Sequence, residues 1–167
     1  MFPRGENMDK RTADAVMKCL EIEVDFYREL TIFLMKKHTK ILADDINWLT
    51  DSLNDEQAYI MKSRSLEEKR VALFCGLGIE GKRLDELSGE APEEYRPKIG
   101  MLSEQLSELL GNIKELNEQT TEIVKRKLDN QKEFVKRAGI LEKPEVYDKN
   151  AAKVQSGQSS AQVIRQV

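Results

Sequence analysis

Residues 99–123 read Ile99-Gly100-Met101-Leu102-Ser103-Glu104-Gln105-Leu106-Ser107-Glu108-Leu109-Leu110-Gly111-Asn112-Ile113-Lys114-Glu115-Leu116-Asn117-Glu118-Gln119-Thr120-Thr121-Glu122-Ile123. Apolar side chains recur at alternating steps of three and four: Ile99, Leu102, Leu106, Leu109, Ile113, Leu116 and Ile123, with Thr120 taking the polar place in the series. A 3.5-residue period puts all of them on one stripe of an α-helix, the pattern of a coiled-coil seam. At about 2 kcal/mol per large aliphatic side chain, covering the stripe is worth on the order of 10 kcal/mol. The helix therefore needs a neighbour, and Leu106, Leu109, Ile113 and Leu116 are expected in the core.

Working outward, this helix runs from about Pro97 to Ala138, with Pro97 at a favourable first-turn position and Gly139 as its stop. At 1.5 Å per residue it would span roughly 60 Å. Upstream, a first helix reads from about Asp9 to Leu42, with Asp9, Thr12 or Asp14 as its cap. Its main stripe is Val16, Leu20, Val24, Tyr27, Thr31, Leu34 and Ile41. A second cluster, Ile22, Phe26 and Phe33, sits about 120° round the helix, more apolar surface than one neighbour covers. That cluster suits core, a self-association face or a partner groove.

The middle stretch starts at the acidic Ala43-Asp44-Asp45 and continues to Cys75. It carries one face of Ile46, Leu49, Leu53, Ile60, Val71 and Phe74, interrupted by Gln57 and Arg64, and a nearly opposite stripe of Trp48, Tyr59, Leu66 and Leu73. Two stripes imply two neighbours, as in the middle helix of a bundle. Pattern leaves open whether His38–Asp45 is a break or a kink. Gly76, Gly78 and Gly81 end the helix. The connection from Lys82 to Pro97 has room for one short turn at Lys82–Leu87, since Pro92 and Pro97 forbid a long helix. After Gly139 the apolar residues thin out and Gln155-Ser156-Gly157-Gln158-Ser159-Ser160 is polar.

The fold class read from the residues is all-α: an elongated antiparallel bundle of three long helices with a flexible C-terminal tail. The domain plan is a disordered extension at 1–8, a bundle at 9–139, and a mobile, partner-binding tail at 140–167. Charged residues make up 34% of the 167 and aromatics only 6%, which suits long amphipathic helices. The net charge of −3, with interspersed acids and bases, lacks the clustered basic face that nucleic acid selects. The longest strongly apolar run, Ile32–Met35, is far too short to span a bilayer, and Met1–Lys10 has no apolar signal core. Met8 is a candidate start of translation. Cys19 and Cys75 read as buried free thiols, and the expected location is the cytoplasm.

The search for reaction chemistry is nearly empty. His38 is the single histidine and lies among Lys36, Lys37 and Lys40, which reads as a solvated helix-end residue. Gly76-Leu77-Gly78-Ile79-Glu80-Gly81 resembles a dinucleotide loop but follows a helix rather than a strand. The carboxylates lie on alternating-charge faces such as Glu67-Glu68-Lys69-Arg70. The expectation is a non-enzyme with no catalytic residue, cofactor or metal.

Several motifs in order resemble the FlgN-type flagellar type III export chaperones. They are Leu84-Asp85-Glu86-Leu87, the stretch Leu106-Ser107-Glu108-Leu109-Leu110 through Glu115-Leu116-Asn117, Arg70 late in the second helix, and Val146-Tyr147-Asp148-Lys149-Asn150-Ala151. Departures from the family pattern are Thr120 for a second asparagine, Glu56 for a lysine and Ala151 for a glycine. The resemblance implies a cytoplasmic chaperone whose clients are hook–filament junction proteins, held by their amphipathic terminal helices and delivered to an export-gate component. Tyr147 would then dock on the gate, unless it packs back on the bundle end. Client contacts would come from Val154, Val163, Ile164 and Val167 in the tail and from Ile22, Phe26 and Phe33. A homodimer is a further partner the spare face allows. The rival reading is a structural coiled-coil spacer or self-assembling helical protein without a client.

Overall fold

The computed structural model describes residues 8–139. The chain divides into two compact units, Met1–Val124 and Lys125–Val167. Among the described residues there are five helices and no strand: α1 (Lys10–Leu42), α2 (Ile46–Asp51), α3 (Leu53–Gly76), α4 (Leu84–Glu90) and α5 (Arg96–Arg137).

Helix boundaries follow local chemistry. Asp9 caps α1 by accepting the Thr12 N–H at 2.7 Å, and hydrogen bonding from the Thr12 side chain, then from this N–H, holds the Asp9 carboxyl below its usual range. The segment left open in the sequence is a true break. Helix α1 ends at Leu42, Asp44 turns through a left-handed φ of 54°, and Asp45 caps α2 by accepting the Trp48 N–H at 3.1 Å. Asp45 also accepts from Lys40 Nζ at 2.6 Å, and this bond more than the cap lowers its pKa. The middle stretch, read as continuous, has a one-residue interruption at Ser52. Backbone bonds of helical spacing persist on both sides of it, Ser52 N–H to Trp48 O at 2.9 Å and Glu56 N–H to Ser52 O at 3.0 Å. Beyond Gly76, the positive φ of Gly78 and Gly81 lets the chain reverse while Ile79 drops into the core.

Within the first unit the bundle runs up, down and up. Polar contacts pair α1 with α3 in antiparallel order: Glu23 with Arg70, Tyr27 with Ser63, and Lys37 with Glu56. They pair α1 with α5 in parallel order: Glu21 with Lys98, Arg28 with Gln105, and His38 with Thr120. The tightest core lies at the end where Val16, Leu20 and Val24 of α1 meet Phe74, Ile79, Leu87, Ala91, Ile99, Leu102 and Leu106. Helix α4 closes this end: Leu87 and Ala91 are fully buried, and the Glu90 carbonyl accepts the Met8 N–H at 2.9 Å. Met8 is itself buried, so the packed chain includes a residue that the sequence reading placed in the N-terminal extension.

The seam does not stay closed along α5. Ile99, Leu102 and Leu106 are buried as expected. Leu109, Ile113, Leu116, Thr120 and Ile123 are only half-buried, which corrects the expectation of a core position for Leu109, Ile113 and Leu116. In the second unit, the described part of α5 exposes Leu128 and Phe134.

Candidate partner-binding surface

The middle helices turn the stripe of Trp48, Tyr59, Leu66 and Leu73 inward. Tyr59, Ser63, Leu66, Arg70 and Leu73 are half-buried against α1, and Phe74 is buried. Aromatic packing explains the choice. Phe33 stacks on Tyr59 at 4.9 Å and on Trp48 at 6.0 Å, while Phe26 lies 5.0 Å from Tyr27 and 6.1 Å from Tyr59. Lys62 and Lys36 lie over the Phe26 and Trp48 rings at 5.2 and 5.4 Å.

The surplus cluster of α1 is thereby split. Phe26 is 2% exposed and Phe33 half-buried, so both support the interior, whereas Ile22 is 57% exposed. The other proposed contact residues, Tyr147, Val154, Val163, Ile164 and Val167, lie outside the described residues.

Of the opposite stripe, Phe74 is buried and Leu49 half-buried, while the other members face out. Leu53, Ile60 and Val71 are 60%, 43% and 60% exposed, and Ile46 is exposed as well. On α5, Leu110 and Val124 are 43% and 38% exposed beside the half-buried seam. Beside the closed end lies an open cleft of about 750 Å³, lined by Arg70, Val71 and Phe74 of α3, by the Glu80–Asp85 connection, and by Ser103, Glu104 and Ser107 of α5. Isolated exposed aliphatics are ordinary; rows of them on one face mark an interaction surface. Sequence periodicity contained this face but assigned it to packing.

One ion pair is embedded in the α1–α3 contact. Glu23, with its side chain 3% exposed, has Oε1 3.1 Å from Arg70 Nε, off the line of a good hydrogen bond. Burial raises the Glu23 carboxyl above its ordinary value; Arg70 draws it back down and Glu67 pushes it up. The family-pattern arginine is therefore the counter-charge of a buried carboxylate, and Glu56, at the departing position, pairs with Lys37. Buried pairs of this kind contribute more to register than to net stability.

The remaining chemistry is sparse. His38 is half-buried and bonded to Thr120 rather than solvated. Cys75 is exposed, not buried; a hydrogen bond with Glu80 raises its pKa, while burial does the same for the half-buried Cys19. Among the described residues, no cluster of three or more His, Cys, Asp or Glu side chains could hold a metal ion. No described helix is long and apolar enough to cross a membrane.

Uncovered apolar rows on a helical bundle with such sparse chemistry suit a protein-binding module. The family model described as FlgN protein matches residues 8–153. The chain belongs to the FlgN family. That makes it a flagellar export chaperone, of a family that binds flagellar export substrates. The match spans all five helices. Comparison with curated proteins and with solved structures gave no match.

Proposed function

We propose that this FlgN-family chain acts in the cytoplasm, holding the amphipathic terminal helices of hook–filament junction proteins and handing them to the flagellar export gate. The family match over residues 8–153 carries the reading. The physical logic supports it: an unassembled client exposes a coiled-coil helix prone to self-association, and a bundle with bare apolar rows can cover that helix until export. In this proposal Tyr147 docks on the gate. Val154, Val163, Ile164 and Val167 join Ile22 in contacting the client, and Phe26 and Phe33 back the surface from the interior. A non-enzymatic role without cofactor or metal goes with it.

Affinity capture tests it, with the full-length chain as bait in a lysate of motile source cells. Recovery of hook–filament junction proteins is the expected result. Recovery of the bait alone would favour a structural coiled-coil spacer.

A further inference from the structure

The rows of exposed aliphatics belong to one groove. Side-chain hydrogen bonds and ion pairs join α1 to α3 and α1 to α5, whereas near the closed end an open cleft separates α3 from α5. Both helices lean on α1 and leave a gap above the closed end. Val71 fixes which side of α3 faces that gap, because it lines the cleft opposite Ser103 and Ser107 of α5. Ile60 and Leu53 precede it by eleven and seven further residues, whole numbers of turns, and so share that side. On α5, Ser103, Leu110, Asn117 and Val124 follow one another at steps of seven. Ser103 is buried, whereas Leu110 and Val124 are bare, so one line of the helix passes from covered to uncovered as it leaves the closed end.

We infer that this α3–α5 groove is the seat of a single client α-helix, which completes the bundle as a fourth member; the inference rests on the chaperone reading above. Three features specify the occupant. Both walls are helices whose backbone groups bond within themselves, so an extended segment would bury unpaired N–H and C=O groups, whereas a helix brings its own bonds. From Ser107 to Val124 the groove is roughly 25 Å long, room for about five turns bearing aliphatics at helical spacing. Arg64 interrupts the α3 line between Ile60 and Val71 and Lys114 lies beside Leu110; neither has an ion-pair partner among the described residues, while Glu67, Glu68 and Glu118 flank the same walls. The docked helix therefore carries an acidic residue opposite Arg64 within its apolar stripe. Asn117, midway along, offers an amide to a polar position of that stripe and sets its register.

The test is titration of the full-length chain with a labelled synthetic peptide of a hook–filament junction protein's terminal helix. Ile60→Asp and Leu110→Asp should each weaken binding tenfold or more, and Arg64→Glu with Lys114→Glu should weaken it and reduce its salt dependence. Ile32→Asp, an exposed position on α1, is the control and should bind as the parent does. Circular dichroism checks that each variant keeps its helices. Parent-like binding by the folded groove variants would overturn the groove while leaving the chaperone reading intact. Failure of the unsubstituted chain to bind both the peptide and the whole junction protein would remove that reading and the groove with it. Sedimentation of the free chain covers the other occupants. A dimer dispersed by Leu110→Asp would make the occupant a second copy. A monomer whose residues 140–167 lose hydrogen-exchange protection in Leu110→Asp would make it this chain's own tail. Either result overturns the assignment to a client.

Discussion

Nδ1 of His38 lies 2.8 Å from Oγ1 of Thr120, joining α1 to α5 where the seam is only half covered. The single histidine and the polar residue of the seam thus account for each other. A hydroxyl at a seam position would otherwise lower stability, and the imidazole gives it a partner. A double-mutant cycle with His38→Leu and Thr120→Val should yield a coupling of about 0.5–1.5 kcal/mol in urea denaturation. Additive single effects would show that the contact contributes nothing in solution.

The change from closed to open seam predicts a graded truncation series. Leu106→Ala, at a buried site, should cost about 2–5 kcal/mol. Leu109→Ala, half-buried, should cost about half as much, and Leu110→Ala should stay within about 0.5 kcal/mol. Urea midpoints of the three variants check the order. Equal losses at all three would mean that the groove side of α5 is covered in the free chain.

That gradient marks the limit of what periodicity reveals. The helix ends at Asp9 and Gly76 were legible because caps and glycines are local chemistry, whereas the break after Leu42 stayed open in the pattern. The heptads of α5 stated that Leu109–Ile123 must find cover, but a pattern does not say whether the cover is the same chain or a partner. On α2 and α3 two stripes of similar apolarity competed. The inward one was decided by Phe26 and Phe33 meeting Tyr59 and Trp48, and by Glu23 meeting Arg70, contacts 15 to 47 residues apart in sequence that no local signal carries. His38 was misread for the same reason: its partner is 82 residues away.

The Glu23–Arg70 pair predicts a pH signature. Burial raises the Glu23 carboxyl above its ordinary 4.5, with Arg70 opposing and Glu67 adding to the rise. A carboxyl with a higher pKa in the folded than in the unfolded chain contributes its stability fully below the unfolded value, and that contribution fades as pH rises through the folded value. Glu23→Gln should therefore gain on the parent between about pH 4 and pH 7, whatever its offset. Arg70→Met strands a buried carboxylate and should cost about 3 kcal/mol at neutral pH, with a steeper loss of stability as pH rises. Urea denaturation at the two pH values checks both, and identical pH slopes in parent and Glu23→Gln would contradict the account.

Tyr147→Ala should separate client binding from delivery. Tyr147 is the only aromatic after Phe134 and stands three residues past Pro144. It lies outside the described residues; its place in the sequence and the FlgN family support the assignment. An aromatic anchor buries a large area while losing little side-chain entropy, and truncating one typically costs about 2 kcal/mol, close to thirtyfold in affinity. The groove proposed for the client is aliphatic and involves no tyrosine of this segment. The variant should therefore hold the junction-protein helix within about threefold of the parent, yet lose motility and secretion of the client. Titration with the labelled peptide and a swarming assay read the two halves separately. Collapse of both would place Tyr147 in the client site. Preservation of both would mean that its ring contacts neither partner, and the gate-docking assignment would fall.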